Sequence, residues 1–347
     1  MGIFRIIKRK FKTFDDIIRP LAYGKWDYFL VATDYFYCRY ILKITQDEYT
    51  KYHFAILKPR YRKHFILQQH RSKYLNINTR SLTWSKYVFY QYIPDLFNRE
   101  IILAPQCGMG KFVDFLKRHG KIAVKPDTGS LGQGVQIVQY SSDQAAEAFF
   151  NSIPKECPVV CEEFIRQHPV LAQLNPSSVN TIRIASLLID GEVDIFSATL
   201  KCGAGADRVT DNLSLGGIGA QIDIPSGIVT TFGKDYAFNT YTHHPVTGTQ
   251  IIGIQIPHWD ATLELIKKAH KRLPQCAFFA WDVAITETGA EIVEANSKSG
   301  TRIMQAFDSI PKGQKLLPLM KKDRLKEKQK EYYDDWKKRL YQFHNPQ

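Results

Sequence analysis

The stretch that most restricts what this chain can become is Trp281-Asp282-Val-Ala-Ile-Thr-Glu-Thr-Gly-Ala-Glu-Ile-Val-Glu294-Ala-Asn296. Polar and apolar residues alternate on both sides of a Thr-Gly turn, the pattern of two antiparallel strands with one buried face. Gly289 at the last position of a three-residue loop, Glu287–Gly289, suits a bulged hairpin. Thr286 then pairs with Ala290, and Asp282 falls opposite Glu294. Period two puts Asn296 on their face and Val283, Ile285, Val293 and Ala295 on the other. Two carboxylates and an amide oxygen on one face make a hard-oxygen site suited to Mg2+. An exposed polar sheet face is the alternative.

A second informative element is Lys125-Pro-Asp-Thr-Gly129-Ser130-Leu-Gly132-Gln-Gly134. The strand Lys121–Lys125 aims its last lysine at a glycine-rich turn, where backbone N–H groups can close over an anion. The glycine order fits neither a Walker P-loop nor the dinucleotide fingerprint. An ordinary glycine hairpin is the competing reading.

Around these elements runs an α/β rhythm. Helices are expected over Gly110–His119, Ser142–Asn151 and Trp259–Leu273, and strands over Val135–Gln139, Val159–Ile165, Thr181–Ile189, Asp194–Lys201 and Gly219–Ile224. Thr45-Gln-Asp-Glu48 is a capping-box pattern opening a helix that Lys58-Pro59 closes. Residues 319–344 read as a basic amphipathic terminal helix, and MGIFRIIKRKFK as a short one able to lie on anionic lipid or dock within the protein.

With 44% hydrophobic and 23% charged residues the chain is neither disordered nor fibrous. It lacks an apolar run of membrane-spanning length and the apolar core of a secretory signal. Its six cysteines form no C-x-x-C pair, which fits a reducing cytoplasm. Charge is uneven: residues 1–100 carry 19 Lys and Arg against 8 Asp and Glu, while 101–310 carry 17 against 21. Such a basic end suits an anionic polymer or membrane surface; with no recognition motif, a nucleic-acid partner is not expected. The 23 aromatic residues before position 101 serve as core or as sugar-stacking surface. His243-His244 lacks a third ligand at metal-binding spacing.

In order along the chain, KPDTGSLGQGV, VVCEEFI, SVNTIRI, ATLKCG, DNLSLGG and WDVAIT…IVEAN resemble the ATP-grasp superfamily, specifically its sugar-transfer-associated, alpha-L-glutamate ligase-related branch. The resemblance runs from about Lys86 to Arg302. It implies an α+β ATP-grasp fold with two α+β lobes sandwiching ATP. The expected division is a basic aromatic-rich region 1–98, a small lobe 99–165, a large lobe 166–312 with the Mg2+ site, and a basic helix 313–347. It also implies that Lys86, Lys125 and the loop residues Gly129, Ser130, Gly132 and Gly134 hold phosphates. The Glu163 carbonyl and Ile165 N–H would read adenine, with Glu162 and Phe164 beside them. Asn180, Arg183, Lys201, Asn212, Gly216 and Gly217 would form the phosphate and acyl end, and Asp282, Glu294 and Asn296 the Mg2+ ligands.

The chemistry implied is carboxylate–amine ligation through an acyl phosphate, on a carboxylated sugar or amino acid in surface-polysaccharide synthesis. Its partner would be an acidic glycan or a lipid-linked sugar, at the inner face of the membrane. An ATP-grasp kinase acting on a hydroxyl, or a non-catalytic nucleotide-binding partner of sugar-transfer enzymes, are the competing functions.

Overall fold

The computed structural model describes residues 14–22, 24–57, 59–70, 82–129, 134–205, 211–297, 299–301, 303–307, 311–313 and 317–318. The basic N-terminal dozen, loop residues Ser130 and Gly132, and the helix expected over 319–344 lie outside them. The described residues form two compact units. Those within Met1–Tyr74 and Gly300–Lys321 make the smaller, and those within Leu75–Ser299 the larger.

In the smaller unit, α1 (Lys25–Phe36) runs into a wide turn, Tyr37–Ile41, and α2 spans Gln46–Lys51. The Thr45 capping box forms: the Thr45 hydroxyl accepts from the Glu48 N–H at 3.2 Å, and the Glu48 carboxylate accepts from the Thr45 N–H at 2.9 Å. The helix stops at Lys51, short of Lys58-Pro59, because the chain turns at His53 (φ 54°) and sends Tyr52 and Phe54 into the core. That core is aromatic: Tyr35 meets Tyr49 edge-on at 4.9 Å, and Tyr52 stacks on Phe65 at 4.8 Å. Arg62, itself buried, ties it together by donating to Asp34 at 2.6 Å, while the Tyr49 hydroxyl donates to the same carboxylate at 2.7 Å.

The larger unit holds a short helix, α3 (Lys86–Tyr92), and two sheets. The first is antiparallel in the order β1-β4-β2-β3, from β1 (Ile101–Ala104), β2 (Lys121–Pro126), β3 (Gln136–Gln139) and β4 (Val159–Glu163). Helices α4 (Met109–His119) and α5 (Asp143–Asn151) share a core with it, where Phe112, Phe115 and Leu116 meet Ile102, Ile122 and Val124. Gly120 (φ 66°) ends α4 and Ser142 caps α5, accepting from the Ala145 N–H at 3.2 Å.

The second sheet has seven antiparallel strands in the order β11-β10-β5-β6-β7-β8-β9. These are β5 (Thr181–Ile189), β6 (Glu192–Cys202), β7 (Ile218–Ile222), β8 (Gly233–Lys234), β9 (Thr240–Tyr241), β10 (Phe278–Thr286) and β11 (Gly289–Asn296). Helix α6 (Trp259–Lys271) packs across β5, β6, β10 and β11, burying Ile266 and Ala269 against Trp281, Val283 and Ile285. Alternation then sends Asp282 to the other face.

The hairpin differs from expectation in one respect. Thr286 pairs with Gly289, so the turn has two residues, and the extra residue is Val293, bulged between the pairs Asp282–Glu294 and Val283–Ile292. Asp282 still faces Glu294, because a bulge moved up the strand shifts the register by the same single residue. The core side of β11 is Ala290, Ile292 and Ala295, and Val293 leaves it.

Candidate active site

Register builds the site. Glu294 of β11 pairs with Asp282 of β10, Asp282 with Arg183 of β5, Arg183 with Thr199 of β6, and Thr199 with Gln221 of β7. Five adjacent strands thus lay one polar row across a sheet whose other face is apolar core. Arg183 grips Asp282 with both arms, Nε to Oδ1 at 2.6 Å and Nη2 to Oδ2 at 2.7 Å, and reaches Ser299 at 2.9 Å. Lys201 enters from the next row, 3.0 Å from Asp282 and 3.3 Å from Asp211.

Burial alone would push Asp282 up, but the charges of Arg183 and Lys201 outweigh it and hold the carboxyl well below the usual range. Lys201 is raised in turn: burial works against its charge, and Asp211 and Asp282 overcome that. Glu294 goes the other way. Burial and the adjacent Asp282 charge both raise it, while Asn296 donates to its Oε1 at 3.0 Å. Two carboxyl groups pressed together, with an amide alongside, are hard oxygen donors that fit a divalent cation between them. Among the described residues no three His, Cys, Asp or Glu converge as a metal set, so this candidate rests on two carboxylates and the amide.

Lys125, on β2, donates to the Glu162 carboxylate at 2.8 Å. Glu162 is enclosed. It also accepts from Arg99 Nε at 3.1 Å and is 3% exposed. Burial would raise it, but Arg99 and Lys125 outweigh that and lower it. Glu163 ends β4, and Phe164 and Ile165 lie past its end, with the Lys121 ammonium 3.8 Å from the Phe164 ring centroid.

Lys86 points into the stem of the glycine-rich turn, donating to the Pro126 carbonyl at 2.8 Å and more distantly to those of Asp127 and Gly129. Burial depresses its pKa, partly opposed by Glu294 and Asp127. Asp127 braces the same junction, accepting from the Tyr87 N–H at 2.8 Å and the Ser85 hydroxyl at 3.0 Å. Gly134 (φ 74°) is required there, since a Cβ would lie 2.9 Å from the Pro126 ring.

Two expected residues are committed to the fold. Asn180 is fully buried: its amide donates to Gln167 at 3.0 Å and to the Leu171 and Asn175 carbonyls, and its oxygen accepts from the Gly203 N–H. It anchors loops and does not reach the polar row. The Asn212 side-chain oxygen accepts from the Ser214 N–H at 3.1 Å and hydroxyl at 2.9 Å, shaping the turn that ends at Gly216 (φ 94°). Gly217 packs so tightly on that turn that a Cβ would sit 2.6 Å from the Asp211 carbonyl. The row therefore meets this loop through Asp211, which also accepts from the Thr181 N–H at 3.0 Å. His244 is likewise occupied, with Nε2 at 2.8 Å from the Gly203 carbonyl and Nδ1 at 3.3 Å from Thr247.

Arg99 carries no local signal in the sequence. It is buried, pairs with Glu162 of β4 and with Glu291 of β11, and donates to the carbonyls of Ile292 at 2.6 Å and Val293 at 3.5 Å. Those carbonyls flank the bulge that brings Glu294 to Asp282. One guanidinium therefore links β4 of the first sheet, whose Glu162 also holds Lys125, to the carboxylate ribbon of the second.

Among solved structures, the chain is similar to ATP-grasp ligase PsnB in complex with a phosphomimetic precursor variant, Mg and ADP (13% identity, 73% of this chain and 62% of that one, TM-score 0.42). It is also similar to D-alanyl-alanine synthetase A from Vibrio cholerae O1 biovar eltor str. N16961 (10%, 69% and 64%, 0.43) and to D-alanine–D-alanine ligase from Bacillus anthracis (15%, 79% and 80%, 0.42). The chain spans just under two thirds of the first two. No curated protein matches it. The profile described as sugar-transfer associated ATP-grasp matches residues 92–322, two thirds of the sequence. The chain belongs to the sugar-transfer-associated ATP-grasp family and has the α+β ATP-grasp fold.

Proposed function

We propose that this protein is an ATP-dependent carboxylate–amine ligase. The observation that carries the reading is the row Glu294–Asp282–Arg183, completed by Lys201, in register across β11, β10, β5 and β6. A substrate carboxylate attacks the γ-phosphorus of ATP, the bond to ADP breaks, and an acyl phosphate forms. An amine then attacks the acyl carbon, phosphate leaves with the bonding pair, and the amine's extra proton passes to solvent. The obstacle is bringing two anions together, and the chain answers it with cations. Arg183 and Lys201 offset charge on the transferring phosphoryl group, and Lys125, with the glycine-rich turn, holds the phosphate tail. Lys86 fixes the turn's stem. Mg2+, held by Asp282, Glu294 and Asn296, would neutralise phosphate oxygens when bound.

The family's association with sugar transfer, together with the basic N-terminal region, supports a carboxylated sugar, or an amino acid attached to one, in surface-polysaccharide synthesis. An acidic glycan or lipid-linked sugar at the inner face of the membrane is the partner this reading favours. The test is ADP release by purified protein with Mg2+ and ATP across a panel of uronic acids and amino acids. The reading predicts release that requires a carboxylate and an amine together and yields an amide. ADP without an amine requirement and a phosphorylated hydroxyl product would replace it with a kinase. ATP binding indifferent to Glu294→Gln would replace it with a non-catalytic nucleotide-binding protein.

A further inference from the structure

Helix α1 and the turn after it are apolar on both sides. Val31, Tyr35 and Cys38 are buried in the smaller unit's core. On the opposite side Trp26, Phe29, Leu30, Phe36, Tyr37 and Ile41 stand 52–84% exposed. Their spacing of three and four residues sets them along one stripe, roughly 24 Å long at helical rise. Thr33 within the stripe turns its hydroxyl back onto the Phe29 and Leu30 carbonyls, at 3.0 and 2.9 Å. A helix with a second, exposed apolar stripe opposite its buried one presents a surface large enough to mark an interaction site.

Charge identifies the partner. The segments of the smaller unit hold 20 Lys and Arg against 7 Asp and Glu, whereas the rest of the chain is balanced at 27 against 27. The whole net charge of +13 therefore belongs to the segments that carry the stripe. Lys25 at its start and Arg39 and Lys43 at its end are exposed. Like charge opposes a second copy of this unit on that face, while an anionic surface attracts it. Trp and Tyr are the residues that settle at the boundary between headgroups and acyl chains.

We infer that α1 and its following turn form a docking surface for an anionic phospholipid bilayer, with the stripe lying in the plane of the interface. The inference goes beyond the ligase reading and does not depend on it.

The test is co-sedimentation of the full chain with vesicles of phosphatidylcholine containing 30 mol% phosphatidylglycerol, against phosphatidylcholine alone. Two variants, Trp26→Ser/Leu30→Ser and Phe36→Ser/Ile41→Ser, probe the two ends of the stripe. Both alter exposed side chains, and melting curves check that they fold. The expected result is binding to the anionic vesicles, weakened at least about tenfold by either pair and by removal of phosphatidylglycerol, with ADP release unchanged. Vesicle binding insensitive to both pairs would overturn the inference. So would failure to bind vesicles, including the case in which a concentration-dependent dimer is abolished by the same variants, which would make the stripe a contact between copies.

Discussion

Two buried ion clusters in the larger unit invite comparison. Around Arg99, two cations (Arg99 and Lys125) meet two carboxylates (Glu162 and Glu291). Around Asp282, two cations (Arg183 and Lys201) meet Asp282 and Asp211, and Glu294 adds a third carboxyl. The first cluster is balanced and spends its hydrogen bonds tying one sheet to the other. The second has three carboxyls to two ion-paired cations, with Lys86 acting on Glu294 from further off; burial raises Glu291 in the first cluster, whereas Glu294 is raised by burial and by Asp282 together. A balanced buried cluster holds a fold together; in the ligase reading proposed above, the surplus carboxyl of the second is what a divalent cation would neutralise.

The sharpest way to break this contrast is to change each cluster and read activity and stability side by side. Glu294→Gln is expected to lower ADP release by about 10³-fold while leaving the denaturation midpoint unchanged or higher, since it removes a carboxyl whose charge is disfavoured. Arg99→Met should act in the opposite sense. It strands Glu162 and Glu291, so urea unfolding should show a loss of about 3–5 kcal/mol; unchanged stability would dissolve the distinction. Arg183→Lys keeps the charge but loses the two-armed grip on Asp282, and turnover should fall about 10²-fold. A further effect lies outside both clusters. Burial pushes His270 down from 6.5 to about 4, with Nδ1 2.7 Å from the Ser186 hydroxyl and Nε2 3.0 Å from the Cys276 carbonyl. Below 6.5 the unfolded chain takes up a proton that the folded chain refuses. Stability is therefore fully present above that pH and declines by roughly 3 kcal/mol as pH falls towards about 4. Urea titrations across that window check it, and His270→Gln should flatten the decline.

What could be read from the sequence was local. The alternation of the closing ribbon, the capping residues Thr45 and Ser142, and the strand carrying Lys125 all depend on neighbours within a few positions. Even the Asp282–Glu294 pairing was legible although the bulge sits at Val293 and not at the turn, because either placement shifts the register by one. Arg99 was not legible, since its partners lie 63 and 192 residues away in the chain. The ion pairs of Glu162 with Arg99 and Lys125 were not legible for the same reason. Asp127 and Asp211 carried a weak signal, each standing within two positions of a residue already singled out. For Asn180, the sequence shows an amide within the run Ser-Val-Asn-Thr, but only the folded loops reveal that its bonds point inward. The stripe on α1 was hidden because periodicity alone does not say which of two apolar faces is buried.

The central question is whether the polar row binds nucleotide through a divalent cation. Calorimetric titration of a non-hydrolysable ATP analogue into the full chain, with and without Mg2+, puts the question directly when repeated on Glu294→Gln. Tight binding that requires Mg2+ in the parent and loses that requirement, along with most of its affinity, in the variant is the predicted result. Equal, Mg2+-dependent binding by both proteins would contradict it.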